Sequence, residues 1–259
     1  MIRLTDKDEI RRCLNQDREW SLYALADLDD GLFEQCDWFG HGGGLVLVFR
    51  GIAIRPIFVI GDAASSRELL SDLPAESGWL NLLPHQLAAA REFYRFEDCR
   101  PMRRMILAGF QPVEGVTEPL ARTHCAEIED LYATGDGGGT AFGAFQLDDG
   151  FFRGIRRKGQ LVAAAGTQVV SRREGVAAVG NIFTHPSFRG QGLAQILTSA
   201  VVAALRQEGI PTIGLNVGDG NAAAIRAYER VGFRTRLNYF EGPAVRLGKA
   251  YAAPSPSRL

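Results

Sequence analysis

The sequence predicts an α/β fold, an α+β mixed sheet arranged as two similar modules, each a mostly antiparallel central sheet flanked by helices. Three observations predict it. The C-terminal half runs hairpin, helix, strand, helix and strand pair, its apolar residues switching between strand and helix spacing. The N-terminal half repeats that order more faintly. A chain of 259 residues, 46% apolar and 23% charged, holds enough apolar material for a core in each module. The expected division is 1–110 for the first module, 111–250 for the second, and a flexible tail at 251–259 whose Pro-Ser-Arg-Leu end has nothing to bury.

In the first module, residues 45–49 and 53–60 read as a hairpin, 63–73 as a helix, 79–83 as a strand, 87–94 as a helix and 102–107 as a strand. One stretch is echoed in the second. Ala88-Ala89-Ala90-Arg91-Glu92-Phe93-Tyr94 resembles Ala222-Ala223-Ala224-Ile225-Arg226-Ala227-Tyr228, and each follows a strand containing Leu-Asn (Leu80-Asn81, Leu215-Asn216). Internal duplication is one reading. Chance similarity of two alanine-rich helices is the other. The modules are expected to meet near residues 109–116.

The second module is written more clearly. Residues 161–170 and 176–183 flank the polar turn Ser171-Arg172-Arg173-Glu174-Gly175 as a hairpin. Leu193, Ile196, Leu197, Ala200, Val201, Ala204 and Leu205 make one apolar stripe, which predicts a helix over 193–207. Gly209 stops it and Pro211 forbids resumption. A strand at 212–217 leads through Gly218-Asp219-Gly220 to Asn221, the N-cap of a helix reaching about residue 231 with Gly232 beyond its end. A strand pair at 234–240 and 244–247 closes the pattern. The run Gly135-Asp136-Gly137-Gly138-Gly139 excludes regular structure; it either flanks a substrate cleft or is a plain connector.

Charge excludes some functions. With 29 basic and 30 acidic residues the net charge is −1, which argues against a nucleic-acid or acidic-membrane binder. Cys13, Cys36, Cys99 and Cys125 stand far apart, so neither a disulfide framework nor a metal site is expected. The first residues lack the apolar stretch of a signal peptide, and no run approaches the roughly 18 apolar residues of a membrane span. A cytoplasmic protein, monomeric or homodimeric, is the expectation.

The chemical signal is Arg189-Gly190-Gln191-Gly192-Leu193-Ala194, set between a strand and a long amphipathic helix. Unpaired amides and the helix dipole favour an anion there. Glycines at 190 and 192 admit phosphate oxygens to those amides, and Arg189 adds a charged fork. Neither G-x-x-x-x-G-K-[ST] nor a dinucleotide fingerprint is present, since Gln195 stands where the third glycine belongs.

In these residues the chain resembles the GNAT superfamily of acyl-CoA-dependent N-acyltransferases, whose R/Q-x-x-G-x-G/A motif is met by Arg189, Gly192 and Ala194. Asn216, Asn221 and Ala227-Tyr228-Glu229-Arg230-Val231-Gly232-Phe233 resemble its second cofactor motif. The resemblance covers residues 176–240, and the fainter upstream half is similar to tandem members in which one module has decayed. Where a cofactor loop would fall in that half stands Gly61-Asp62-Ala63-Ala64-Ser65-Ser66, with an acidic residue and no basic one. The first module is therefore expected not to hold coenzyme A.

The resemblance implies an acetyl-CoA-dependent N-acetyltransferase acting on a primary amine of a small molecule or amino acid, by direct attack in a ternary complex. It implies that Ile182, Phe183 and Thr184 offer main-chain bonds to pantetheine and the acyl oxygen. The pyrophosphate falls to Arg189, Gly190, Gln191, Gly192, Leu193 and Ala194, with Asn216 and Asn221 near pantetheine and Tyr228 as general acid. Two readings of Tyr228 stand, since its spacing with Ile225 and Val231 also fits a core aromatic. A local bulge is expected at Gly180. No glutamate lies on 176–183 to take the amine proton; His185 and Glu241 are weak candidates, and the base is unassigned. That gap keeps open a non-catalytic acyl-CoA sensor, and a peptide or protein N-terminal acetyltransferase is a further alternative.

Overall fold

The computed structural model describes residues 1–135 and 142–248. The tail expected at 251–259, and the glycine run beyond Gly135, lie outside the described residues. The chain divides into two compact units, residues 1–102 with the segment from Asn238 onward, and residues 103–237.

The first unit opens with β1 (Ile2–Leu4), α1 (Lys7–Leu14) and α2 (Leu22–Ala26). Asp6 caps α1 by accepting from the amides of Asp8 and Glu9. Strands β2 (Cys36–His41), β3 (Gly44–Phe49) and β4 (Pro56–Ile60) form an antiparallel meander. Helix α3 (Ala63–Asp72) then crosses to β5 (Ser77–Leu82), which lies parallel to β4, and α4 (Leu87–Phe93) and β6 (Tyr94–Phe96) follow. Leu45 to Val48 are buried without alternation, as expected of a strand covered on both faces.

The second unit takes in β7 (Arg100–Leu107) from Arg103 onward, then β8 (Glu118–Pro119) and α5 (Cys125–Ala133). Strands β9 (Arg153–Arg157), β10 (Gln160–Ser171) and β11 (Val176–Thr184) make a second antiparallel meander. Helix α6 (Leu193–Gln207) leads to β12 (Thr212–Gly218), parallel to β11, and then to α7 (Ala222–Val231) and β13 (Phe233–Arg246). The predicted stripe faces inward: Leu193, Leu197, Val201 and Leu205 are at most 3% exposed. At roughly 1.5–3 kcal/mol per fully buried large aliphatic side chain, that face anchors α6 firmly. Asn221 Oδ1 caps α7, accepting from the Ala224 amide at 3.1 Å.

One expectation is corrected. The strand pair at 234–240 and 244–247 is one strand, β13. Gly242-Pro243 makes no turn there; a Cβ on Gly242 would lie 1.8 Å from the Asp98 carbonyl oxygen, so the glycine admits a close-running backbone. The compact units also differ from the blocks 1–110 and 111–250. The far half of β13 pairs with β5, from Phe240 with Leu82 to Val245 with Ser77, and so counts with the first unit. Residues 103–107 of β7 lie beside β12 in the second. Each unit completes its sheet with a strand from the other half of the sequence.

Candidate active site

Helix α6 begins without a side-chain cap. Its N-cap is Gly192, at φ +77°, and Gly190 lies at φ +79°. A Cβ at either would meet nothing within 4 Å, so the loop is open and the left-handed backbone is what calls for glycine. Among the described residues, none accepts a hydrogen bond from the amides of Gly190, Gln191, Gly192, Leu193 or Ala194. Five consecutive free donors lie at the positive end of a 15-residue helix, an arrangement whose chemistry suits an anion. Exposed Arg189 stands at the rim of the loop, Nε donating to the Thr184 carbonyl at 3.2 Å and the guanidinium 5.8 Å from the Phe183 ring centre.

Leading into this loop, β11 parts from β12. Their registered pairs run from Val176–Thr212 to Val179–Leu215, leaving Gly180 to Thr184 on one side and Asn216 to Gly218 on the other. Opposite β10 the strand carries an extra residue: pairing steps from Gly166–Gly180 to Ala164–Phe183. Asn181, at φ +52°, takes the left-handed conformation. Gly180, where the bulge was expected, is the last paired residue before it, and a Cβ there would sit 2.4 Å from Gln168 Cγ. Ile182, Phe183 and Thr184 are half-buried along the bulged run.

The other expected residues are placed as follows. Tyr228 is 7% exposed within the core of the second unit, edge-on to Phe233 at 6.4 Å. Burial pushes its phenol well above the ordinary value, so the hydroxyl keeps its proton. Half-buried Asn216 accepts at Oδ1 from Arg104 Nε at 2.6 Å, a structural side-chain bond. His185 Nδ1 accepts from the Ser187 amide at 3.2 Å, the work of a loop cap. Glu241 belongs to the first unit, where it accepts from the Tyr239 hydroxyl at 2.8 Å. Arg156 pairs with Glu118 and Glu127, and Arg172 with Glu208. Sequence reasoning passed over Asn181, Tyr132 and Gln146, which share a hydrogen-bond network at the bulge.

The matching place in the first unit is filled by its own side chains. Asp62 caps α3, accepting from the Ser65 amide at 2.8 Å and the Ser65 hydroxyl at 2.6 Å. These bonds hold its carboxyl below the usual range. Gln86 Nε2 donates to the Gly61 carbonyl at 3.0 Å, and Trp20 Nε1 to the Val59 carbonyl at 3.3 Å. A negative charge already sits where an anion would bind.

Residues 136–233 match the Acetyltransferase (GNAT) family. Over 88 residues the chain is 39% identical to a mycothiol acetyltransferase of Thermobispora bispora, covering 32% of this chain and 30% of that protein. Over 89 residues it is 36% identical to the ribosomal protein bS18-alanine N-acetyltransferase of Escherichia coli, covering 33% of this chain and 58% of that one. The match therefore spans less than two thirds of either curated relative. A solved structure, a GCN5-related N-acetyltransferase from Kribbella flavida, superimposes with a TM-score of 0.62 at 18% identity, over 88% of this chain and 96% of that chain. At that identity the likeness is one of fold.

Proposed function

We propose that the chain, which matches the Acetyltransferase (GNAT) family over residues 136–233, transfers an acetyl group from acetyl-CoA to a primary amine of a small molecule or amino acid. The observation that carries this reading is the row of uncommitted amides from Gly190 to Ala194, continuous with a bulged strand that has parted from its neighbour. Amides in open left-handed turns suit a pyrophosphate, and the parted strands suit a pantetheine arm.

When bound, acetyl-CoA supplies an activated carbonyl and a thiolate leaving group. Arg189 and the amides of residues 190–194 would hold its pyrophosphate. Backbone donors along Ile182, Phe183 and Thr184 would meet the charge that develops on the acyl oxygen, and Asn221 at the start of α7 would contact the arm. Tyr228 holds a proton for the departing sulfur, its phenol kept neutral by burial. The first unit acts as a decayed copy that holds no nucleotide, its helix start neutralised by Asp62.

Thiol release from acetyl-CoA, measured across amines, amino acids and peptides, tests the reading. Tyr228→Phe is expected to lower turnover about 100-fold while leaving acetyl-CoA affinity in place. Acetyl-CoA failing to bind the wild-type chain removes the proposal. Tight binding with no turnover of any amine, and no effect of Tyr228→Phe, makes the chain a sensor instead. Arg189→Ala is expected to weaken coenzyme A about 10-fold by calorimetry and leave pantetheine unchanged, because only the nucleotide carries the charge that Arg189 meets. Equal loss for both ligands means that the loop does not meet the pyrophosphate.

A further inference from the structure

We propose that Tyr132 and Gln146 are positioning residues that lock the Asn181 bulge and thereby aim the acyl-binding backbone of β11; the inference rests on the function proposed above. A left-handed conformation is unfavourable for a non-glycine residue in a strand, and asparagine is among the residues that tolerate it best. Here that conformation is held from two directions. From α5, the Tyr132 hydroxyl donates to the Asn181 carbonyl at 2.7 Å. From the turn Ala144–Asp149, Gln146 Oε1 accepts from Asn181 Nδ2 at 2.9 Å. Gln146 is itself fixed, Oε1 accepting from the Gly143 amide at 3.1 Å and Nε2 donating to the Gln168 carbonyl at 3.1 Å.

Tyr132 and Gln146 are buried, at 3% and 5% exposed, around half-buried Asn181, and their polar groups carry a desolvation cost. Apolar side chains would fill the same volume at less cost, so the hydrogen bonds do more than pack. Their effect follows from peptide geometry. In a trans peptide the carbonyl and the next N–H point in opposite directions, so fixing the Asn181 carbonyl on Tyr132 fixes the Ile182 N–H toward the opposite side. Asn181 and Ile182 are the residues of β11 that have no registered partner on β10. Without the lock this peptide is free to rotate back toward the ladder. Tyr132 also packs edge-on against Phe183 at 5.7 Å, so one side chain sets both the peptide and the ring that follows it.

The test separates the thioester arm from the nucleotide. Calorimetry on the full chain uses acetyl-CoA and, as a second probe, adenosine 3′-phosphate 5′-diphosphate. Tyr132→Phe, which removes one hydroxyl, is expected to weaken acetyl-CoA about tenfold and leave the nucleotide unchanged. Asn181→Gly, free to stay left-handed, is expected to bind acetyl-CoA more tightly than Asn181→Ala, although both lose the Gln146 bond. Tyr132→Phe weakening both probes equally or neither, or Asn181→Ala matching Asn181→Gly, overturns the lock while the proposed function stands. Wild type that binds nucleotide but not acetyl-CoA, or neither, overturns both readings.

Discussion

Gly232→Ala is expected to destabilise the second unit by more than about 4 kcal/mol, beyond what most single substitutions do. Two effects combine. Gly232 ends α7 at φ +107°, a conformation open to glycine and costly for alanine. More severely, a Cβ there would lie 1.8 Å from the Gly109 carbonyl oxygen. Neither backbone is free to yield. Ala108 and Gly109 donate their amides to the Gly232 carbonyl at 3.0 and 3.4 Å, and Gln111 donates to Val231 at 2.9 Å. Relief would break those bonds and displace the end of the helix that carries Tyr228. Gly209→Ala is the control. It has a similar backbone at φ +74° but nothing within 4 Å of its Cβ, and should cost only about 1 kcal/mol. Urea unfolding of both variants checks the prediction, and equal losses would refute the steric argument.

Removing the carboxylic acid at Asp27 is expected to flatten the pH dependence of stability. Asp27 follows α2 in the first unit and is 6% exposed. Burial, with a smaller push from Asp29, raises its carboxyl to about 8. The folded chain therefore keeps this proton up to about pH 8, whereas the unfolded chain gives it up near pH 4. Between those values the unfolded state binds fewer protons, so stability falls as pH rises, by up to about 1.4 kcal/mol per pH unit. Below that window the acid is neutral in both states and carries no penalty; above it the penalty is complete. Asp27→Asn removes this slope. From about pH 5 to about pH 8 the wild type should lose roughly 4 kcal/mol more than the variant. Parallel profiles would show that Asp27 ionises freely in the folded chain.

Much of the second unit was legible because its signals are local. The stripe from Leu193 to Leu205, the Asn221 cap and the glycine stop at 209 each depend on neighbours within a turn or two, and α6 and α7 stand where those signals put them. The open glycine loop before α6 was legible for the same reason. Features set by distant partners were not. Gly242-Pro243 carries a turn signal, yet the backbone at Asp98 decides its role. The bulge falls on Asn181 because Tyr132 and Gln146, far apart in sequence, converge on it. Only Ile10 and Leu14 are buried on α1, so its inward face was too narrow to stand out in a charged segment. Tyr228 lies in the core, as its spacing with Ile225 and Val231 allowed.

The exchange of closing strands bears on how the molecule is made. A ribosome delivers the chain from the amino end, and the first unit awaits residues 238–246, the last of its described strands, before the second edge of β5 gains a partner. The second unit has all of its own residues once position 237 has left the exit tunnel. Thus the part translated earlier finishes its sheet later, and meanwhile exposes an unpaired strand edge of the kind that invites aggregation.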